Sequence, residues 1–124
     1  MTDSDRPEVR VRRIYENARP DDGARVLVDR LWPRGVSKDR AGLEEWCQEI
    51  APSTGLRTWY DHVPERFEEF ARRYRSELEE PERATLLDRL SKLARHQTVT
   101  LLTATKEADI SAAAVLADVI RGVA

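Results

Sequence analysis

The amino-acid sequence predicts a small single-domain α/β protein, with a sheet of about three mostly parallel strands packed by about four to five helices. Apolar, β-branched runs alternate along the chain with segments whose apolar residues recur at helical spacing, which is typical of this class. A long helical stretch separates the second and third predicted strands, so a parallel crossover is available. The 124 residues suit one domain. We expect it to span residues 9–124, after a flexible N-terminus at residues 1–8.

Three segments have the pattern of strands. From Val9 to Arg12 apolar and polar side chains alternate, as in a strand with one buried face. After a turn at residues 19–23, residues 25–32 form a nearly continuous apolar run, which is typical of a central strand covered on both faces. Residues 98–103 predict another strand in the second half of the chain.

Two helical segments are predicted directly after the second strand. The first ends at Pro52, and its apolar residues fall on one stripe at positions i, i+3, i+4 and i+7: Leu43, Trp46, Cys47 and Ile50. Ser53 is a candidate N-cap for a short second helix. One side of that helix carries Leu56, Trp59 and Tyr60.

Three further helices are predicted around the last strand. Pro64 can occupy the first position of a longer helix, whose buried stripe is formed by Phe67, Phe70, Ala71, Tyr74 and Leu78. Pro81 breaks or restarts this helix, and the next one ends near His96. Asp109 or Ser111 can cap a final helix, whose inward residues are Ala113, Leu116, Ala117 and Ile120.

The composition excludes several classes of protein. The formal net charge of −2 disfavours a uniformly basic nucleic-acid binder. Because Cys47 is the single cysteine and the two histidines lie far apart, we expect no disulfide, no structural metal and no cofactor. We expect a cytoplasmic protein without membrane insertion, since no apolar run approaches the roughly 20 residues of a span and the N-terminus lacks a signal-peptide pattern.

Charge is distributed unevenly along the chain. Residues 1–40, 41–80 and 81–124 carry net charges of +2, −5 and +1, and 18 of the 21 basic residues are arginine. Arginine suits bidentate contact with a carboxylate or phosphate, although a codon bias produces the same excess. The cationic first third contains the most distinctive motif of the sequence.

That motif runs from residue 25 to residue 38 as RVLVDRLWPRGVSK, and it resembles the signature of the YeaO-like family, domain of unknown function 488. Residues 50–53, 56–62, 70–74 and 99–102 resemble further blocks of the same family, in the same order. The resemblance covers roughly residues 9 to 120. It implies a small cytoplasmic bacterial α/β protein without an established reaction.

The chain also departs from the family pattern after its last strand. Similar proteins tend to carry Tyr-Ala-Ala, an acidic stretch and then His-Asn, whereas this chain has Thr103-Ala104-Thr105 and, further on, Ile110 and Ser111. We therefore do not expect this chain to perform a function that requires the His-Asn pair.

The strand ends predict a binding site. In open parallel sheets ligands bind beyond the carboxyl ends of the strands, where two loops would gather Asp29, Arg30, Trp32, Arg34, Lys38, Thr103, Thr105 and Lys106. Four cations against one carboxylate favour an anion: a phosphate- or carboxylate-bearing small molecule or nucleotide. In this hypothesis the arginines bind as forks, the lysines act as point charges and Trp32 forms a wall. Trp59 and Tyr60 are candidates for a lid.

The same residues have structural interpretations. Asp29 and Arg30 can form an ion pair that holds the loop, and Trp32 can be a core plug. Asp29 and His62, which follows Asp61, are candidates for acid–base catalysis, but His62 is also a plausible helix-entry residue. Cys47 is expected in the core rather than as a nucleophile.

Two other functional classes remain open. A nucleic-acid-associated protein would use a cationic face formed by Arg10, Arg12, Arg13, Arg30, Arg34, Lys38 and Arg40. A protein-interaction module would present the acidic residues 44–80 to a basic partner, although solvated helix faces explain that acidity equally well. The sequence assigns no reaction, and we expect a monomer or a weak homodimer.

Overall fold

A computed structural model of the chain describes residues 7–122. Residues 1–6, most of the segment expected to be a flexible N-terminus, lie outside the described residues. The backbone of Glu8, at the end of that segment, donates to the Ala94 carbonyl at 3.0 Å and accepts from the Val99 amide at 2.8 Å. The chain therefore joins the fold at Glu8.

A four-stranded sheet forms the centre of the described chain, and all its neighbouring strands are parallel. The strands are β1 (Val9–Arg13), β2 (Ala24–Leu27), β3 (Glu45–Trp46) and β4 (Val99–Thr103). Their spatial order is β1-β4-β2-β3, so that β4 pairs with both β1 and β2. The predicted α/β class with a parallel sheet is confirmed, and β3 is an additional strand.

The two inner strands are buried along their whole length, which explains their apolar sequences. All five residues of β4 and all four of β2 are buried, as expected for strands covered on both faces. The hydrogen bonds between β2 and β4 end before the apolar run of residues 25–32 does. The amide of Val28 still donates to the Leu102 carbonyl at 3.1 Å, and the chain then leaves the sheet. Residues 29–32 consequently form a loop.

The predicted helix over residues 43–50 is wrong. This segment consists of β3 and a 3-10 turn at Gln48–Ile50. Its backbone is held by β2, because Glu44 donates to the Arg25 carbonyl and Cys47 to the Leu27 carbonyl, each at 2.8 Å. Pairing with the open edge of β2 outweighs the local helical spacing, and the apolar residues still reach the core.

A short helix that the sequence pattern does not predict, α1 (Lys38–Ala41), follows the loop after β2. The other helices agree closely with the pattern: α2 (Thr54–Tyr60), α3 (Phe67–Glu77), α4 (Pro81–His96) and α5 (Ala112–Arg121). Ser53 caps α2 by accepting from the Leu56 amide at 3.2 Å. Of the two candidate caps of α5, Ser111 is the one that accepts a bond, from the Ala114 amide at 3.3 Å. Pro64 begins a 3-10 turn, Pro64–Arg66, that leads into α3.

Two apolar clusters lie on the two faces of the sheet. The larger joins one face to α2–α5 and includes Val26, Leu101, Phe70 and Tyr74. The smaller covers the other face with α1 and the loop after β2. Tyr74 is fully buried, and its hydroxyl donates to the Ile50 carbonyl at 2.7 Å. Within the described chain no helix combines the length and apolar character that a membrane span requires.

Candidate functional site

A cavity of about 500 Å³ lies beyond the carboxyl ends of β2 and β4. Val28 and Asp29, which follow β2, and Ala104 and Thr105, which follow β4, line it. The other walls come from residues 30–34, from α2 and from the start of α5. The volume is typical of a small-molecule site, and the location is the one that the parallel strand order predicts.

Asp29 joins the ends of the two inner strands. One carboxylate oxygen accepts from the Thr103 hydroxyl at 2.8 Å, and the other accepts from the Ala104 amide at 2.7 Å. Burial raises the pKa of Asp29, although these two bonds and the charges of Arg57 and His62 act in the opposite direction. Because both oxygens are engaged with β4 and its loop, Asp29 is mainly a clamp between strands.

Arg30 does not form the expected ion pair with Asp29. Its guanidinium is 3.5 Å from the Glu49 carboxylate, and the Gln48 side chain donates to its backbone carbonyl at 3.0 Å. Arg30 also lines the cavity. Its contact with Glu49 is long, and the Glu49 side chain is 64% exposed, so Arg30 is only weakly neutralised.

Arg57 is a cavity residue that the sequence analysis missed. It lies on α2, one turn before Tyr60, and both side chains line the cavity. It is partly buried, its guanidinium makes no hydrogen bond or ion pair within residues 7–122, and its Nε is buried without a partner. The sequence feature that indicates its position is the i, i+3 spacing from Tyr60, which places the two side chains on one face of the helix.

Trp32 has the contacts of a core plug and also lines the cavity. Its indole N–H donates to the Val36 carbonyl at 2.7 Å, and its ring packs edge-on against Trp46 with centroids 5.4 Å apart. These contacts fix the loop after β2, as a core plug does. The same side chain lines the cavity, where it offers an apolar wall.

Tyr60 forms a wall of the cavity and is held there by contacts of its ring and its hydroxyl. Its ring stacks on Phe70 with centroids 4.2 Å apart, and its hydroxyl donates to the Ile110 carbonyl at 2.6 Å. Ile110 thus contributes through its backbone at the position where similar proteins tend to have His. Ser111, at the Asn position, caps α5 and also lines the cavity.

Four of the residues expected at the site do not line this cavity. Lys38 is exposed at the start of α1, and Thr103 is buried beneath Asp29. The ring of Trp59 faces the guanidinium of Arg73, 4.4 Å from the ring centroid. Lys106 lines a second cavity, of about 410 Å³, which shares Tyr60, His62, Ala104 and Thr105 with the first.

The charge balance at the cavity therefore differs from the expected four cations against one carboxylate. The arginines that line it are Arg30, Arg34 and Arg57, and the carboxylates are Asp29 and Asp61. The excess of positive charge is smaller than expected, but it remains. Arg34 lies exposed at the rim, and its carbonyl accepts from the Tyr15 hydroxyl at 3.3 Å.

The chain between α2 and the turn at Pro64–Arg66 has an unusual backbone conformation. Asp61 and His62 both have positive φ angles, 47° and 55°, a region that non-glycine residues rarely adopt. Asp61 ends α2, and its amide donates to the Arg57 carbonyl at 3.0 Å. This conformation places His62 in the lining of both cavities.

Cys47 lies in the core, as expected, although on a turn and not on a helix. It is 3% exposed, and burial, together with the charge of Glu45, raises the pKa of its thiol to about 11. A thiol with this pKa is almost entirely protonated near neutral pH, so it is a poor nucleophile. Within residues 7–122 no group of three or more His, Cys, Asp or Glu side chains could hold a metal ion.

Fold and site together define a small parallel α/β protein with an arginine-lined cavity at the carboxyl edge of its sheet. A family model described as the inactive DUF488-N3 subclade matches residues 8–123. The chain belongs to this DUF488 family, and the resemblance to YeaO-like proteins is confirmed.

Several bacterial proteins are similar to this chain over nearly their whole length. An uncharacterized protein of Mycobacterium tuberculosis is 51% identical over 114 residues, which cover 92% of this chain and 94% of the relative. A protein of Mycobacterium bovis has the same identity and coverage. The uncharacterized protein YeaO of Escherichia coli is 40% identical over 113 residues, 91% of this chain and 96% of the relative. No solved structure matches the chain.

Proposed function

We propose that this protein binds a small molecule through a carboxylate or phosphate group in the cavity beyond β2 and β4, without transforming it chemically. The observation that carries this proposal is Arg57. A partly buried guanidinium without a protein partner lines a ligand-sized cavity. Burying a charge that stays unpaired is unfavourable, and an anionic ligand supplies the missing partner.

The neighbouring charges support the same proposal. Arg30 and Arg34 line the same cavity, and the carboxylate of Asp29 already accepts two hydrogen bonds from β4 and its loop. A planar guanidinium can bind a carboxylate or phosphate through two parallel hydrogen bonds. The cavity thus contains donors in excess of the acceptors available to them.

Two observations favour binding over catalysis. The subclade to which the chain belongs is described as inactive. Asp29, the buried acid of the cavity, accepts one hydrogen bond on each oxygen from β4 and its loop, so the sheet holds it in place as a structural residue. We therefore assign Asp29 to the architecture of the site.

Nucleic-acid binding has less support. Arg10 pairs with Asp21 at 2.9 Å, and Arg12 approaches Asp22 at 3.3 Å. Arg13 and Arg40 donate to the carbonyls of Thr105 and Tyr15. Internal contacts thus engage much of the suggested cationic face, which leaves fewer cations for phosphate contacts.

Calorimetric titration can test the proposal with four probes: acetate, hexanoate, inorganic phosphate and adenosine monophosphate. We expect at least one probe to bind, and Arg57→Gln to weaken it by about tenfold or more, because a charged hydrogen bond contributes about 1.5–3 kcal/mol. Arg95→Gln is the matched control, since Arg95 is an exposed arginine of α4 that does not line the cavity. Equal affinities of Arg57→Gln and wild type for every bound probe would refute the proposal.

A further inference from the structure

We infer that the ligand is an amphipathic organic monoanion, with one carboxylate on an apolar body. This inference rests on the proposed function and narrows it to one chemical class. The observations that carry it are the apolar lining of the cavity, its two carboxylates and the exposed leucine at its edge.

Apolar groups make up much of the cavity wall. They include Val28, Ala51, Pro52, Phe70, Ala104 and Ala112. Val28, Ala51 and Phe70 are each at most 2% exposed, so they form a floor that the core holds in place. A polar ligand would lose hydration on this floor without gaining hydrogen bonds, whereas an apolar body would gain from the contact.

The carboxylates of the cavity limit the charge that a ligand can carry. Asp29 and Asp61 line the same space as the three arginines. Three arginines against these two carboxylates leave one positive charge in excess, which one anionic group neutralises and a second one exceeds. A monoanionic carboxylate therefore fits better than a dicarboxylate, or than a phosphate monoester that carries nearly two charges near neutral pH.

Leu31 lies at the edge of the cavity that the apolar body of the ligand would reach. It lines the cavity, and at 67% exposure it stands out as the exposed large hydrophobic side chain of the described residues. It follows β2 in the loop that carries Arg30. An apolar tail that extends from a carboxylate at Arg57 to this edge would cover part of Leu31.

A matched series of straight-chain probes tests this inference by calorimetry. Hexanoate, hexanamide, adipate and hexyl phosphate share six carbon atoms and differ in their ends, and acetate lacks the tail. We expect hexanoate to bind at least about tenfold more tightly than each of the other four. Arg57→Gln should remove most of the difference between hexanoate and hexanamide, and Leu31→Ser should reduce the advantage of hexanoate over acetate.

The outcomes separate this inference from the proposed function. If adipate or hexyl phosphate binds as tightly as hexanoate and still depends on Arg57, the monoanion class is wrong and the anion site stands. If acetate does so, the apolar body is wrong and the anion site stands. If Leu31→Ser leaves the advantage of hexanoate over acetate unchanged, the tail does not reach Leu31 and the inference fails in that part. If no probe binds in a manner that depends on Arg57, both proposals fail. Circular dichroism of each variant shows whether it folds.

Discussion

The two ends of β2 use arginine in opposite ways. At the amino end, Asp22 lies just before β2 and Arg25 is the second residue of the strand. Their side chains are 1% and 5% exposed, and the Arg25 guanidinium lies 2.6 Å from the Asp22 carboxylate. Arg25 also donates to the Ala41 carbonyl at 3.0 Å. Beyond its carboxyl end, Asp29 is engaged by β4 and Arg57 has no hydrogen-bonded partner in the described chain. In an arginine-rich chain, the position of the buried carboxylates thus distinguishes a structural arginine from an available one.

Removing the carboxylate at the amino end should have the largest effect. We expect Asp22→Ala to lower the free energy of unfolding by about 3–5 kcal/mol, because it leaves the buried Arg25 without its counter-charge. Urea denaturation measures this loss. Adding Arg25→Met to Asp22→Ala should restore part of the stability. If the double variant is no more stable than Asp22→Ala alone, the unpaired charge of Arg25 is not the cause of the loss.

The two aspartates should respond to pH in opposite directions. Burial acts to raise the pKa of Asp22, but hydrogen bonds from the Arg19 amide and the Arg25 guanidinium outweigh it, so the pKa is lowered. The stability that Asp22 contributes is therefore present above its unfolded pKa, near 3.9, and is lost as the pH falls through the folded pKa.

Asp29 has a raised pKa in the folded protein, chiefly because it is buried. Its contribution is therefore complete below the unfolded pKa near 3.9 and declines as the pH rises through the folded value. Asp29→Asn abolishes this decline, so we expect the variant to gain stability relative to wild type as the pH rises above about 4. Urea unfolding between acidic and neutral pH measures the difference, and a constant difference would contradict the raised pKa.

Replacing the available arginine should affect stability much less than replacing the paired one. We expect Arg57→Met to change the free energy of unfolding by less than about 1 kcal/mol, because no hydrogen bond or ion pair with the protein is lost and a partly buried charge is removed. Arg25→Met, the matched variant at the other end of β2, should destabilise by several times as much. Similar losses in the two variants would mean that Arg57 has a structural role.

The smallest effect concerns the backbone beside the cavity. Asp61→Gly should raise the free energy of unfolding by about 0.5–1 kcal/mol, because glycine adopts a positive φ without steric cost. Gly35→Ala is the reciprocal control: its φ is 75° and nothing lies within 4 Å of the added Cβ, so backbone strain alone should destabilise it. Thermal unfolding measures both changes. A lower melting temperature for Asp61→Gly would show that the side chain of Asp61 stabilises the fold by more than its backbone strain destabilises it.

The sequence predicts those elements whose signals are local. The stripe of Phe70 and Tyr74 and the caps Ser53 and Ser111 each act within a few residues, and α2, α3 and α5 form where these signals lie. β3 has two residues, too few for a periodicity of its own, and the spacing around Trp46 also fits a helix. Only the hydrogen bonds to β2, more than 15 residues away, decide between the two.

The site follows the same rule. Asp29, Arg30 and Thr105 were found because strand ends converge in parallel sheets. Arg57 was missed because an arginine on a helix is ordinarily solvated, and its lack of a partner is a property of the folded chain. Trp59 was misplaced because adjacent residues on a helix point in different directions, so that Tyr60 faces the cavity while Trp59 packs against Arg73.

The strand order has a consequence for biosynthesis. β1 and β2 do not pair with each other, since β4 lies between them. During translation residues 9–27 precede their shared partner, Val99–Thr103, by more than 70 residues. Until those residues leave the ribosome, β1 has no strand to bind and β2 can pair only with the short β3. The cavity at the carboxyl edge of β2 and β4 thus comes into existence only after most of the chain has been made, and such late, distant pairing makes folding slow.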